Sequence, residues 1–145
     1  MNEYLVSHRE YKIDAKGRIS IPANMRSALG SEFIASRGAG KCLALYPMES
    51  WNSFMESIQS KVPQKDRKKL QFFFSANADK LSLDGQGRVL LNEELRKQVN
   101  LFGEDTAMVY GNNDHIEIWN CELFNAELSS ISEQEVEDIL DRYEI

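Results

Sequence analysis

Arg18 and Arg88 occupy equivalent places in two copies of one short motif, Asp14-Ala15-Lys16-Gly17-Arg18 and Asp84-Gly85-Gln86-Gly87-Arg88. In each copy the aspartate can accept backbone N–H groups at the first position of a tight turn, and Gly17 or Gly87 can take positive φ at its fourth position. An arginine leaving so rigid a turn offers a planar fork of donors suited to phosphate or to the O6/N7 edge of guanine. A two-stranded ribbon carrying it is narrow enough to enter a major groove. The competing role is internal, each guanidinium folding back on its own aspartate to clamp the turn. Arg9, Lys12 and Lys16 add positive charge near the first turn and favour an external, anionic partner for Arg18. Asp79, Ser82 and Gln86 stand at the equivalent places in the second copy, so Arg88 is the weaker candidate.

Other residue types that do chemistry are scattered. His8 and His115 have no ligand-spaced partners, and Cys42 and Cys121 form no Cys-x-x-Cys pair, so neither a metal site nor a disulfide framework is expected. Both cysteines read as small core hydrophobes. Gly38-Ala39-Gly40-Lys41 resembles a phosphate-binding loop only superficially, because the remaining glycine spacing and the following Ser or Thr are missing. No nucleophile with a base is found. The expectation is a protein without catalytic residues or cofactor.

The elements that position the two turns are themselves duplicated. Residues 13–29 align with residues 83–99; four of these seventeen positions are identical and five more keep an apolar residue. Farther on, Cys42-Leu43-Ala44-Leu45-Tyr46 aligns with His115-Ile116-Glu117-Ile118-Trp119. Each copy reads as strand, tight turn, strand, short helix, hairpin, helix. Tyr11, Ile13, Ile19 and Ile21 alternate with polar residues as in a half-buried strand pair joined through Asp14–Gly17. Pro22 opens a helix over Ala23–Leu29 that Gly30 closes, whereas Asn92 replaces that proline as an N-cap. Arg26 and Arg96 lie late in these helices, where they can satisfy carbonyl groups.

Hairpins are expected at Phe33–Tyr46 and Thr106–Trp119, around turns rich in residues that tolerate positive φ. Trp51, Phe54, Met55 and Ile58 form one apolar helical stripe that stops before Pro63. Leu70, Phe73 and Phe74 mark a helix after Asp66, with Lys65, Arg67, Lys68 and Lys69 as a basic run at its start; Phe72 exceeds what one stripe needs and could face another subunit. The last helix opens with a Ser132-x-x-Glu135 capping box and carries Val136, Ile139, Leu140 and Tyr143 on one face. Residues 1–64 are assigned to the first repeat, 65–80 to a connecting helix and linker, 81–124 to the second repeat and 125–145 to an acidic C-terminal helix. A half of about 70 residues buries too little surface to fold alone, so an α+β architecture is expected in which the repeats interlock as a small barrel about a pseudo-two-fold axis. That arrangement would set the two turns side by side.

Composition agrees with a folded domain: 145 residues, 42% apolar, 28% charged and a net charge of −6. The charge is uneven, +3 over residues 1–47, +2 over 48–80, −4 over 81–120 and −7 over 121–145. Such polarity lets a polyanion dock on one end. No apolar run approaches the roughly 18 residues of a membrane span and the N-terminus lacks a signal-peptide pattern, so a cytoplasmic location is expected.

At these motifs the chain resembles the MraZ family of bacterial regulators, associated with the division and cell wall gene cluster, within the AbrB/SpoVT-like swapped-hairpin superfamily. The resemblance is carried by the two Asp-x-x-x-Arg motifs and by Lys16–Pro22, Phe73-Phe74-Ser75, Gln86–Leu90 and Ile116–Trp119, over about Tyr4 to Trp119. It implies an AbrB-like double-psi or swapped-hairpin barrel with peripheral helices, a closed ring of identical subunits, and binding to short direct repeats in promoter DNA, usually with repression and at the nucleoid. Arg18 and Arg88, with Lys16 in support, are the DNA-contacting residues it implies. Asn92 departs from a proline common in the second copy. Two alternatives stay open: a protein-interaction module using the same barrel without DNA, and an antitoxin-like role for the acidic tail.

Overall fold

Strand alternation puts apolar side chains on one side in both repeats, but the hydrogen-bonding partner of each outer strand comes from the other repeat. A computed structural model describes residues 5–145; Tyr4, at the start of the family resemblance, lies outside the described residues. The elements run β1 (His8–Lys12), β2 (Arg18–Ser20), α1 (Ala23–Leu29), β3 (Glu32–Arg37), β4 (Cys42–Pro47), α2 (Met48–Lys61) and α3 (Gln64–Ser75). The second repeat follows with β5 (Asp79–Ser82), β6 (Arg88–Leu90), α4 (Glu93–Gln98), β7 (Thr106–Asn112), β8 (His115–Asn120), α5 (Cys121–Ser129) and α6 (Glu133–Arg142).

The fold is α+β, with a six-stranded antiparallel sheet in the order β1-β7-β8-β4-β3-β5 and a separate two-stranded ribbon, β2-β6. Exchanging repeats maps this order onto its own reverse. Strands β4 and β8 pair at the centre, Leu43 opposite Ile118, while β1 joins β7 and β5 joins β3 at the edges. The expected pairing of the Tyr11–Ile13 segment with the Ile19–Ile21 segment is therefore corrected. Asp14–Gly17 forms the tight turn, but the strand before it pairs with β7 and the strand after it with β6. Alternation along one strand reports which face is buried and is silent about its neighbour.

Both repeats fill one core. Ile13, Ile19, Ile21, Met25, Leu29 and Phe33 meet Val89, Leu91, Leu95, Leu101, Ile116 and Ile118, all buried. A smaller cluster of Cys42, Met108, Trp119 and Phe124 covers the opposite side of the central strands. Coverage from both sides explains why Cys42–Tyr46 reads as an unbroken apolar run rather than an alternating one. Each large apolar side chain so buried stabilises the fold by about 1.5–3 kcal/mol.

The caps follow local chemistry. Pro22, Pro47 and Pro63 precede α1, α2 and α3, where a missing N–H costs nothing because the first-turn donors have no helical acceptor. The helix expected after Asp66 starts earlier, at Gln64, with Asp66 inside its first turn beside the positive end of the dipole. Asn92 caps α4 by accepting from Glu94 N at 2.7 Å and Leu95 N at 3.3 Å. Gly30 at φ +87° closes α1, and Asn113 at φ +65° turns the β7–β8 hairpin. Ser132 and Glu135 complete the capping box of α6. Helix α3 packs on α2 and β3, whereas every residue from 125 to 145 is exposed.

Candidate nucleic-acid interface

The two turns have one design. Asp14 Oδ1 accepts from Lys16 N and Arg18 N, both at 2.9 Å, and Oδ2 accepts from Arg18 Nε at 2.7 Å. Asp84 repeats this with Gln86 N, Arg88 N and Arg88 Nε, all at 2.9 Å. Backbone bonds close each loop, Asp14 N to Arg18 O at 2.9 Å and Asp84 N to Arg88 O at 2.8 Å. Bonds from Leu91 N to Gly17 O and from Ile21 N to Gly87 O, both 3.0 Å, then tie each turn to the opposite strand of the ribbon.

Ribbon register decides where the arginines point. Arg18 lies opposite Leu90, Ile19 opposite Val89 and Ser20 opposite Arg88. Side chains on one side of a strand recur every second residue, so Arg18, Ser20, Arg88 and Leu90 share one side and Ile19 and Val89 the other. The second pair is fully buried, which turns the arginines outward. Their side chains keep 30% and 26% of their surface exposed, and Arg88 Nη1 comes within 3.9 Å of Asp14 Oδ2. The turns thus stand adjacent, as the duplication implies, and each arginine also makes the internal clamp through Nε.

Hydrogen bonds from the Arg18 and Lys16 backbone and the charged Arg18 side chain outweigh partial desolvation and hold the Asp14 carboxyl down to about 2; Asp84 is lowered for the same reasons. Both aspartates are ionised at neutral pH, so two carboxylates offset the guanidinium groups of Arg18 and Arg88, and further positive charge comes from Lys16, which is exposed, and from Arg26 and Arg96 against the turn glycines. Lys12 is exposed at the end of the edge strand β1, two positions before Asp14. Arg9 lies farther along β1, opposite Val109, with four residues between it and Asp14, a span on the order of 15 Å along the strand.

A second layer of arginines was not assigned to this site by the sequence. Arg26 Nε donates to Ile21 O at 2.8 Å and Arg96 Nε to Leu91 O at 3.4 Å, the ends of the ribbon strands rather than the last helical carbonyls. Their guanidinium groups lie against the glycine of the other repeat's turn, Arg26 on Gly87 and Arg96 on Gly17. Gly17 has φ +89° and Gly87 φ +75°, a backbone conformation that favours glycine, and a Cβ at either place would push the facing arginine aside. The available signal was the repeat itself: its four identities, Asp14/Asp84, Gly17/Gly87, Arg18/Arg88 and Arg26/Arg96, converge on this one place.

The remaining candidates are accounted for structurally. His115 bridges Asp114 Oδ1 at 2.7 Å and Glu117 Oε2 at 2.8 Å and stacks on Tyr46. Burial disfavours its charged form, but the two carboxylates prevail and raise its pKa. Glu117 also accepts from Asn112 Nδ2 and Trp119 Nε1, which keeps it ionised despite burial. Cys42 is a buried thiol pushed up by desolvation, whereas Cys121 is only half-buried; both are free. Among the described residues no cluster of His, Cys, Asp and Glu is arranged to hold a metal, and no helix is long and apolar enough to cross a membrane.

The family model described as "MraZ protein, putative antitoxin-like" matches twice, over residues 5–73 and 74–143. The chain is also similar to the transcriptional regulator MraZ of Caldanaerobacter subterraneus subsp. tengcongensis, 31% identical over 144 residues, which span 97% of this chain and 99% of that protein. The similarity runs through α6, beyond the limit near Trp119 expected from the motifs alone. With both repeats matched and a relative aligned along nearly its full length, the chain belongs to the MraZ family.

Proposed function

We propose that this chain is a sequence-specific DNA-binding transcriptional regulator that places the β2–β6 ribbon in the major groove. The observation that carries the reading is the ribbon register, which brings Arg18 and Arg88 to one outward side with their Nε atoms held by Asp14 and Asp84. A carboxylate on Nε fixes the plane of the guanidinium and leaves its terminal nitrogens for a phosphate pair or a guanine edge. The name of the relative, a transcriptional regulator, agrees with this.

Asp14 and Asp84 offset the charge of Arg18 and Arg88, so one copy is a weak binder, with Lys16, Arg26 and Arg96 supplying the excess. In this reading several copies form a closed ring and face short direct repeats in the promoter, so modest contacts multiply through effective concentration. The sheet and ribbon together act as an AbrB-like swapped-hairpin barrel, and the target is the division and cell wall gene cluster, which the protein represses at the nucleoid. Mobility shift on the DNA upstream of its own gene tests this. The parent binds and Arg18→Ala, folded and assembled as before, does not; equal binding by the two proteins refutes the role of Arg18.

The acidic, exposed α6 favours a second reading, a protein-interaction module that uses no DNA. A folded, assembled protein that ignores promoter DNA at low salt while retaining a specific protein partner would select it.

A further inference from the structure

Exchanging the repeats carries Arg18 onto Arg88 and, two residues farther along each strand, Ser20 onto Leu90. Of the outward positions on the β2–β6 ribbon, the arginine pair is thus matched and the second pair is not. Leu90 is 57% exposed, although its strand neighbours Val89 and Leu91 are buried at 0% and 3%. Ser20, in the equivalent place, shows that the ribbon forms without an apolar side chain there.

Leu90 stands directly opposite Arg18 in the antiparallel ladder and two residues beyond Arg88 on its own strand. Side chains directly opposite one another start about 5 Å apart, and those two apart on one strand about 7 Å. Hydrocarbon is therefore set beside two guanidinium groups on one outward face, each tied through Nε to its own aspartate. A single exposed leucine needs no cause on an ordinary surface. Here, however, whatever covers it must also meet the arginines. A protein surface laid over Leu90 would strip water from both ion pairs, a cost that one leucine does not return. The floor of a DNA major groove satisfies the whole face, with acceptor edges for the arginines and, in the C5-methyl of thymine, an apolar group for the leucine.

We propose that Leu90 reads a thymine by packing on its C5-methyl group, in a base pair next to the one Arg18 faces. Cytosine in that place offers no methyl and would have its amino group covered by hydrocarbon, so it is disfavoured. The unequal pair also gives the site a direction. A ribbon with the same outward residues on both strands would read a short repeat equally well from either end, whereas Ser20 at one end and Leu90 at the other distinguish them. This inference rests on the DNA-binding reading above and names a base contact within it.

Replacing thymine by deoxyuridine removes the methyl group and nothing else from the groove. On the promoter fragment each thymine position of the direct repeats is replaced in turn, in all repeats together, and affinity is measured by fluorescence anisotropy. The parent loses about fourfold per repeat at one position, as expected for one buried methyl group. Leu90→Ala keeps the parental circular dichroism and size in light scattering, binds the natural fragment more weakly and no longer distinguishes thymine from deoxyuridine at that position. Leu90→Met, which keeps an apolar side chain of similar reach, still does. A merely structural role for Leu90 would weaken binding to both fragments alike and leave their ratio intact. Retention of the parental ratio by Leu90→Ala, or a parent that binds the fragment but is indifferent to every replacement, would overturn the inference while the DNA reading stands. A changed oligomeric state of Leu90→Ala would assign the residue to subunit packing and overturn it as well. A parent that binds no promoter DNA would end both.

Discussion

The guanidinium of Arg26, from the first repeat, lies against the α-carbon side of Gly87 in the second, where any Cβ would run into it. Arg96 covers Gly17 in the reciprocal position. Each turn is thereby held by its own aspartate from within and by the other repeat's helix from outside. The outward-facing pair, Arg18 and Arg88, can be displayed rigidly because a second pair, hydrogen-bonded to the ends of the ribbon strands, fixes the loops beneath them.

This arrangement predicts unequal costs for two glycines only two residues apart. Gly87→Ala must adopt φ near +75° and displace Arg26, and loses about 1–3 kcal/mol in urea unfolding. Gly85→Ala meets nothing within 4 Å and has no positive φ, so its midpoint shifts by less than about 0.5 kcal/mol equivalent. Equal midpoints would mean that neither the left-handed backbone at Gly87 nor Arg26 confines the turn.

Which parts of this site the sequence discloses follows from what repetition and periodicity encode. The turn chemistry is local, and Asp14 and Gly17 announce it; the adjacency of the turns follows from duplication in a chain too short for two independent cores. Strand partners are not local. Tyr11, Ile13, Ile19 and Ile21 alternate as a hairpin would, but Lys12 pairs with Thr106 and Ile19 with Val89, because both edges of each turn are claimed by the other repeat. The packing of Arg26 on Gly87 and of Arg96 on Gly17 is not local either, because each contact joins one repeat to the other. The stripe on α6 is legible from spacing, while its exposure is a property of the whole fold.

Acid removes the stabilisation that the ionised turn aspartates contribute. Asp14 is held at about 2 against an ordinary 3.8, and Asp84 is lowered too. Between those values the unfolded chain is protonated while the native turn is still ionised, so the stability that Asp14 contributes is complete above about 4 and fades as the pH falls toward 2. Asp14→Asn removes this part of the pH dependence, and acid titrations of parent and variant followed by circular dichroism should have visibly different slopes there. Superimposable slopes would mean that the carboxylate gains nothing from Arg18.

His115 gives a titration of opposite sign. Its pKa is raised above 6.5 because hydrogen bonds to Glu117 and Asp114 outweigh the burial that opposes its charge. The stabilisation is present below 6.5 and lost as the pH rises through the native value. Glu117→Gln takes away the buried carboxylate, and the ring protons of His115 followed by NMR should titrate at lower pH than in the parent. An unchanged titration would place the raised pKa on Asp114 alone.

DNA binding through the turn pair predicts a characteristic response to salt. Each phosphate neutralised releases counterions and steepens the fall of log affinity with log salt by about one unit. Lys16→Ala removes a flexible point charge from an exposed turn without touching the Asp14 clamp, so it should weaken binding to all sequences alike and flatten the slope by about one per engaged subunit. Arg18→Ala removes an oriented fork, and if that fork reads a base, the loss is greatest on the cognate repeats, about 1–3 kcal/mol per contact. Affinity measured over a range of salt on cognate and scrambled fragments separates the two residues. Parallel losses on both fragments for Arg18→Ala would assign that arginine to the backbone and move sequence reading elsewhere on the ribbon.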